Sequence, residues 1–314
     1  MENFGIIVAT YEKDYCFAKG CCASIRHFLK DVPICLIVDG SFSVEDLEKT
    51  YGVQVIYRSH TINECLRDKK WKSSTKMIAF WESPWEYFLY LDADMVVWGD
   101  LLKWGNFQDF DMVIDRPKNN FSDQAICQWM FNGPKIEKYF PDFNWRNRPY
   151  FCTGVYFAKR GIFDLDEYRE LLELRLSQPN LFYGMDQGIL NLMIFWAVDR
   201  GKIRLEQKPM QTIVSNFALE ELKERFPVEN NIAVEQKEAS AIHWSGKKPF
   251  ISRHSIFPEP MNFFRRKFLD DAKNLTGLSA ELALQIEDFK SYKTKLWRRL
   301  TGKGTTAMPK PISS

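Results

Sequence analysis

Two carboxylates one residue apart, Asp92 and Asp94, end the apolar run Tyr87-Phe88-Leu89-Tyr90-Leu91, and a second apolar run, Met95-Val96-Val97, follows at once. Carboxylate oxygens are hard ligands suited to Mg²⁺ or Mn²⁺. Residues i and i+2 of a strand face the same side. Where the strand ends the chain can turn, so one carboxylate can grip a metal while the other works through water or a hydroxyl. An ion held there could bridge a diphosphate and neutralise the charge that develops as it leaves. Two more such pairs occur, Asp109/Asp111 and Asp164/Asp166, but neither ends a five-residue apolar run. Alone, the Asp92 pair also fits a turn with two solvated acids, so its meaning depends on the elements that place it.

Those elements follow a regular grammar. Phe4–Thr10 is almost continuously apolar and reads as a strand buried on both faces, as parallel strands are. Tyr11–Tyr15 is a polar loop, and Ala18–Leu29 has helical periodicity through Ala18, Cys22, Ile25 and Leu29. Strands at Val32–Val38 and Val53–Tyr57 bracket a short helix at Val44–Tyr51. Lys76–Trp81 reads as helix and Tyr87–Leu91 as strand. This alternation predicts an α/β domain with a mostly parallel, Rossmann-like central sheet flanked by helices. Ligands in that architecture bind beyond the carboxyl ends of the strands, where Thr10, Asp39, Asp92 and Asp94 fall. Further on, Asp111–Ile114 and Phe151–Lys159 read as strands, with Asp115 ending the first. Asp166–Ser177 and Gln187–Trp196 read as helices, and the chain turns helical and basic from Pro258.

Composition narrows the class. A hydrophobic content of 45% supports a sizeable core, so a disordered chain is excluded. The net charge of +2 is unevenly spread: residues 263–314 carry +6 and residues 1–262 carry −4. Nucleic-acid binding by the main body is therefore not expected. Seven cysteines, an odd number with no CxxC pair, argue for reduced thiols in a cytosol. Phe4–Thr10 is too short for a signal-peptide core, and no 18 apolar residues run together.

Several segments join the acid pair. They are Val8-Ala9-Thr10 with Tyr15-Cys16-Phe17-Ala18-Lys19-Gly20, Ser74-Thr75-Lys76-Met77, Phe151-Cys152-Thr153-Gly154-Val155, Asp186-Gln187-Gly188-Ile189-Leu190-Asn191, and His243-Trp244-Ser245-Gly246-Lys247-Lys248-Pro249-Phe250. In this order, across residues 4–250, they resemble glycosyltransferase family 8. This is the GT-A group that includes glycogenin and the bacterial lipopolysaccharide galactosyl- and glucosyltransferases. The chain departs from the family pattern at Tyr11-Glu12, at Cys152 in place of the usual Asn, and in a His243 motif one residue shorter.

The resemblance implies metal-dependent sugar transfer from a nucleotide-sugar, UDP-linked, to a glycan or lipid-linked acceptor, with the anomeric configuration retained. It implies Mn²⁺ or Mg²⁺ held by Asp92, Asp94 and His243. Ala9, Thr10 and Tyr15 would hold the base and ribose. Lys76, Asp115 and Asp186 would orient the sugar, with Gln187 near the anomeric carbon. Gly246 and Lys248 would meet the diphosphate. The physics of these types agrees: neutral imidazole suits Mn²⁺ beside carboxylates, glycine admits backbone N–H to phosphate, and lysine supplies a point charge. Competing readings stand beside these. Asp186 also fits a helix N-cap, Lys76 a solvated helix charge, and Asp115 a pair with Arg116, while His27, His60 and His254 read as ordinary structural histidines. Of the tryptophans, only Trp244 is a candidate sugar platform.

The expected organisation is a GT-A domain over residues 1–258, a basic helical extension over 259–301, and a disordered tail at 302–314. Phe263-Phe264-Arg265-Arg266-Lys267-Phe268 and Tyr292–Leu300 interleave aromatics with cations, which suits peripheral contact with an anionic membrane from the cytoplasmic side. A solvated basic helix face is the alternative. Rival functions are a sugar-1-phosphate nucleotidyltransferase, whose Gly-rich loop after the first strand is absent here, an inactive nucleotide-sugar-binding protein, and a phosphohydrolase.

Overall fold

The computed structural model describes residues 3–183, 186–229, 232–234, 238–251 and 256–300, with side chains described through residue 290. The segment 302–314 and His254 lie outside the described residues.

The first half builds a parallel sheet. β1 (Phe4–Tyr11), β2 (Ile34–Asp39), β3 (Gln54–Tyr57) and β4 (Tyr87–Asp92) stand in the order β3-β2-β1-β4. After a two-residue turn, β5 (Met95–Trp98) leaves for a second sheet. β6 (Met112–Asp115), β7 (Val155–Lys159) and β8 (Leu205–Lys208) complete the main sheet, with β7 antiparallel between β4 and β6. β9 (Gln211–Ile213) follows, then the antiparallel pair β10 (Val228–Glu229) and β11 (Ile232–Ala233), then β12 (Ser240–His243). The second sheet has the order β5-β12-β9.

The main sheet is apolar on both faces because helices cover both. Ile6, Val8, Leu36, Val38, Leu89 and Leu91 point into one layer, against the helix Tyr15–Leu29. Ile7, Cys35, Ile37, Phe88 and Tyr90 point into the other, against the helix Gln187–Asp199. The two-residue alternation of a strand thus feeds two cores at once. Each such aliphatic side chain contributes roughly 1.5–3 kcal/mol on burial.

The boundaries shift in places. The strand expected from Phe151 starts only at Val155, because Gly154 N–H donates to Cys152 O at 2.9 Å and closes a turn. Lys76–Trp81 is a 3₁₀ turn, Thr75–Ile78, running into a short α-turn, Ala79–Glu82.

The C-terminal helices Glu259–Lys273 and Gly277–Leu300 bring a correction. Phe263, Phe264, Arg265 and Phe268, read as membrane-facing, are buried against the body. Arg265, 1% exposed, is neutralised by Asp288 at 2.8 Å and Glu287 at 3.0 Å. Glu287 also pairs with Lys19 of the first helix at 3.1 Å. The second run, Tyr292–Leu300, lies beyond the described side chains. No described helix is long and apolar enough to cross a membrane.

Candidate active site

The acid pair sits at the seam between the two sheets. Asp92 ends β4 of the main sheet, and Asp94 closes the turn into β5 of the second. β12 pairs antiparallel with β5 in a register that sets His243 opposite Met95, so the imidazole arrives beside Asp94 from the far end of the chain. His243 Nε2 lies 3.6 Å from Asp94 Oδ1 and 3.9 Å from Asp92 Oδ2. One donor atom from each of the three residues lies within 4.8 Å of the others. An ion about 2.1 Å from each donor needs donor pairs roughly 3–4.2 Å apart. The two pairs that involve His243 meet that spacing, and two carboxylates with an imidazole are a donor set that suits Mn²⁺ or Mg²⁺.

Two lysines, Lys76 buried and Lys248 half-buried, balance the acids. Lys76 Nζ contacts Asp92 at 3.1 Å, Asp186 at 2.8 Å and Thr153 O at 3.0 Å. Burial opposes its charge, but Asp186 and Asp92 outweigh burial and hold the ammonium above the ordinary lysine value. Lys248 Nζ contacts Asp94 at 2.6 Å and Asp14 at 3.3 Å. Burial alone would raise Asp94; Lys248 and His243 hold its carboxyl well below the usual range. Burial likewise disfavours the His243 imidazolium, yet the Cys152 sulfur and the Asp94 carboxylate raise it to about 10.

The turn before β7 joins these parts. Gly154 O accepts Asp92 N–H at 2.9 Å, Thr153 O accepts from Lys76, and Cys152 O accepts from Gln211 Nε2 at 3.0 Å. Position 154 must be glycine, since a Cβ there would lie 2.7 Å from His243 Cε1 and 2.8 Å from Nδ1. At φ +89°, Gly246 adopts a left-handed backbone that glycine takes without strain.

A cleft of 780 Å³ opens over this cluster at the carboxyl ends of β1, β2 and β4. It is lined by Ala9, Thr10, Lys76, Asp92, Asp94, Asp186, Gln187, His243, Gly246 and Lys248, residues that the resemblance had grouped together. Two expected members stand elsewhere. Tyr15 is turned into the helix layer, where its hydroxyl donates to Asp46 and its ring packs on Phe42. Tyr11, the last residue of β1, lines the cleft instead. Asp115 is buried behind the site: its Oδ1 accepts Met210 N–H and Gln211 N–H, both at 2.9 Å. Burial pushes its carboxyl up to about 6 against those bonds. Trp244 is core, its Nε1 donating to Ile256 O at 2.9 Å, which removes it as a sugar platform.

The remaining alternatives resolve plainly. Asp186 stands at the N-cap of its helix without a capping bond and turns its carboxylate to Lys76. Asp111 pairs with Arg204, and Asp164 caps a helix through Asp166 N–H and Glu167 N–H. Sequence reasoning missed Gln211, whose Oε1 lies 2.5 Å from His243 Nδ1. A glutamine in a three-residue strand carries no motif that could have flagged it.

No protein-family model matches the chain, and no curated protein matches its sequence. Solved structures do share its architecture. The bifunctional glycosyltransferase WbbM superposes with a TM-score of 0.53 at 14% identity, over 84% of this chain and 50% of WbbM. An active-site mutant of LgtC gives a TM-score of 0.52 at 13% identity, over 87% of this chain and 97% of LgtC. The glycosyltransferase GlyE of Streptococcus pneumoniae gives 0.50 at 13% identity, over 92% of this chain and 64% of GlyE. The chain thus spans half of WbbM and nearly all of LgtC. At such identities the likeness concerns architecture: the chain has the GT-A fold of these glycosyltransferases.

Proposed function

We propose that this chain is a metal-dependent glycosyltransferase that moves a hexose from a nucleotide-sugar, UDP-linked, to a glycan or lipid-linked acceptor. The observation that carries the reading is the convergence of Asp92, Asp94 and His243 with Lys76 and Lys248 in one cleft at the carboxyl ends of parallel strands. Mn²⁺ or Mg²⁺ bound by the three ligands would neutralise the diphosphate of the leaving nucleotide. Lys248 and the Gly246 backbone add positive potential on the same side, an electrostatic contribution of the kind that dominates group transfer. Asp186, held by Lys76, offers acceptor oxygens to donor hydroxyls, and Gln187 beside it, lining the same cleft, would stand near the anomeric carbon. Ala9, Thr10 and Tyr11 form the wall on which a base and ribose would rest.

Residues 1–258 are taken as the catalytic domain and 259–301 as its helical extension. Peripheral contact with an anionic membrane draws its support from the last helix, where Leu278, Leu282, Ile286 and Phe289 are exposed at helical spacing ahead of the basic end.

The test is a panel of UDP-sugars with Mn²⁺, scored for UDP release. Turnover lost in Asp94→Ala supports the enzyme; Mn²⁺-dependent binding of a UDP-sugar with no UDP release from any donor leaves an inactive binder. Release of pyrophosphate from a nucleoside triphosphate and a sugar phosphate would identify the nucleotidyltransferase instead. Retention is checked by the product anomer in NMR, where inversion removes it.

A further inference from the structure

His243 is a useful ligand only if its Nε2 lone pair, and not an Nε2–H bond, faces Asp92 and Asp94. The ring nitrogen that carries the proton is set by what the other nitrogen meets. Here Nδ1 meets Gln211 Oε1 at 2.5 Å. The amide of Gln211 can present either its oxygen or its NH₂ group, and its neighbours decide which. Its Nε2 faces two acceptors, Cys152 O at 3.0 Å and Asp115 Oδ2 at 3.4 Å. With NH₂ held by those acceptors, the oxygen is left for His243, which must then donate from Nδ1.

We infer that Asp115 and Gln211 form a positioning relay that fixes the amide of Gln211, keeps the proton of His243 on Nδ1, and so presents Nε2 to a divalent cation. The relay is rigid. Asp115 Oδ1 is clamped by Met210 N–H and Gln211 N–H, and the close approach of Gly154 leaves no room for a side chain beside His243 Nδ1 or Gln211 Oε1. Neither relay residue touches the cation. Asp115, which the sequence placed on the donor sugar, acts instead on the metal from two residues away. This inference rests on the three-ligand reading of Asp92, Asp94 and His243.

The experiment measures Mn²⁺ affinity of the full chain with no sugar donor present, so failure to transfer a sugar leaves the relay standing. Gln211→Met removes the acceptor of Nδ1–H, and the expected loss is roughly 10–100-fold in Mn²⁺ affinity. Asp115→Asn sets a donor against the NH₂ of Gln211 and weakens binding without altering any ligand. Melting curves on each variant report whether it is folded. The spectroscopic companion is the downfield ¹H–¹⁵N cross-peak of the His243 Nδ1 proton, assigned by its loss in His243→Gln. It is seen in the native chain and lost in Gln211→Met. A Gln211→Met chain that binds Mn²⁺ as the native chain does, or keeps that cross-peak, overturns the relay. So does an Asp115→Asn chain that binds Mn²⁺ as the native chain does. A native chain that binds no Mn²⁺ yet shows the cross-peak overturns the metal reading itself, and the relay's purpose with it.

Discussion

Before His243 can hold a cation it has to give up a proton. In the metal-free chain its neighbours hold the imidazolium up to about 10, above the ordinary ~6.5 of a histidine. The ring's contribution to folding is therefore fully present below about pH 6.5 and is lost as the pH climbs toward 10. Metal binding runs the other way. Mn²⁺ affinity is expected to rise about tenfold per pH unit through neutrality, with one proton released per ion. Titration calorimetry in buffers of different ionisation enthalpy measures that proton, and a pH-independent affinity would remove His243 from the ligand set. Gly154→Ala drives a methyl group into the same ring, with an expected cost of about 1–3 kcal/mol in stability by denaturant titration. At this scale much was legible in the sequence. Asp92, Asp94, Lys76, Asp186, Gln187, His243 and Lys248 line one cleft; the acid pair stood out at the end of an apolar run, and the others entered through the family resemblance, since polar types in a fixed order beside strands and turns are hard to produce by accident. Tyr15 was misplaced because nothing in the sequence says which way the first turn of its helix faces, and its hydroxyl goes to Asp46 and not to the cleft. Asp115 was misread because nothing local says whether a strand-end carboxylate faces a cleft or a neighbouring backbone. Gln211 was silent.

Among the elements, length decided what could be read. β1 and β2 and the helix Tyr15–Leu29 are long enough for apolar runs and periodicity to speak. β5, β9 and β12 have three or four residues each, too few for any period, and the second sheet they build was not anticipated. The first aromatic–cation run of the C-terminus was read as a surface motif because Phe263, Phe264 and Phe268 flank three consecutive cations. In the fold those phenylalanines fill the core, and Arg265 is neutralised within it. Asp288→Ala strips that buried guanidinium of a close partner, with an expected loss of about 3–5 kcal/mol in urea unfolding. The last helix carries a different expectation on its outer side. Leu278, at 90% exposure, and Phe289, at 67%, mark an uncovered apolar stripe. Vesicles rich in anionic lipid should pellet the full chain, and Leu278→Glu/Leu282→Glu should release it. Equal pelleting with neutral vesicles would count against the electrostatic half of that attachment.

For the molecule as a whole, the seam matters most. Asp92 ends a strand of one sheet, Asp94 lies in the turn between the sheets and His243 ends a strand of the other, so a bound cation would fasten the two together. Mn²⁺ at a hundredfold excess over its dissociation constant should stabilise the chain by about 2.7 kcal/mol, read as a rise in melting temperature that Asp94→Asn abolishes. The order β5-β12-β9 also bears on how the protein is made. Its middle strand is the last of the three to leave the ribosome, so until Ser240–His243 emerges, β5 and β9 face each other across a gap with open edges. Open edges are templates for sticking to other chains. Nascent chains arrested before Ser240 should therefore aggregate or recruit chaperones, and release once four more residues slide home, making the cleft one of the final events of folding.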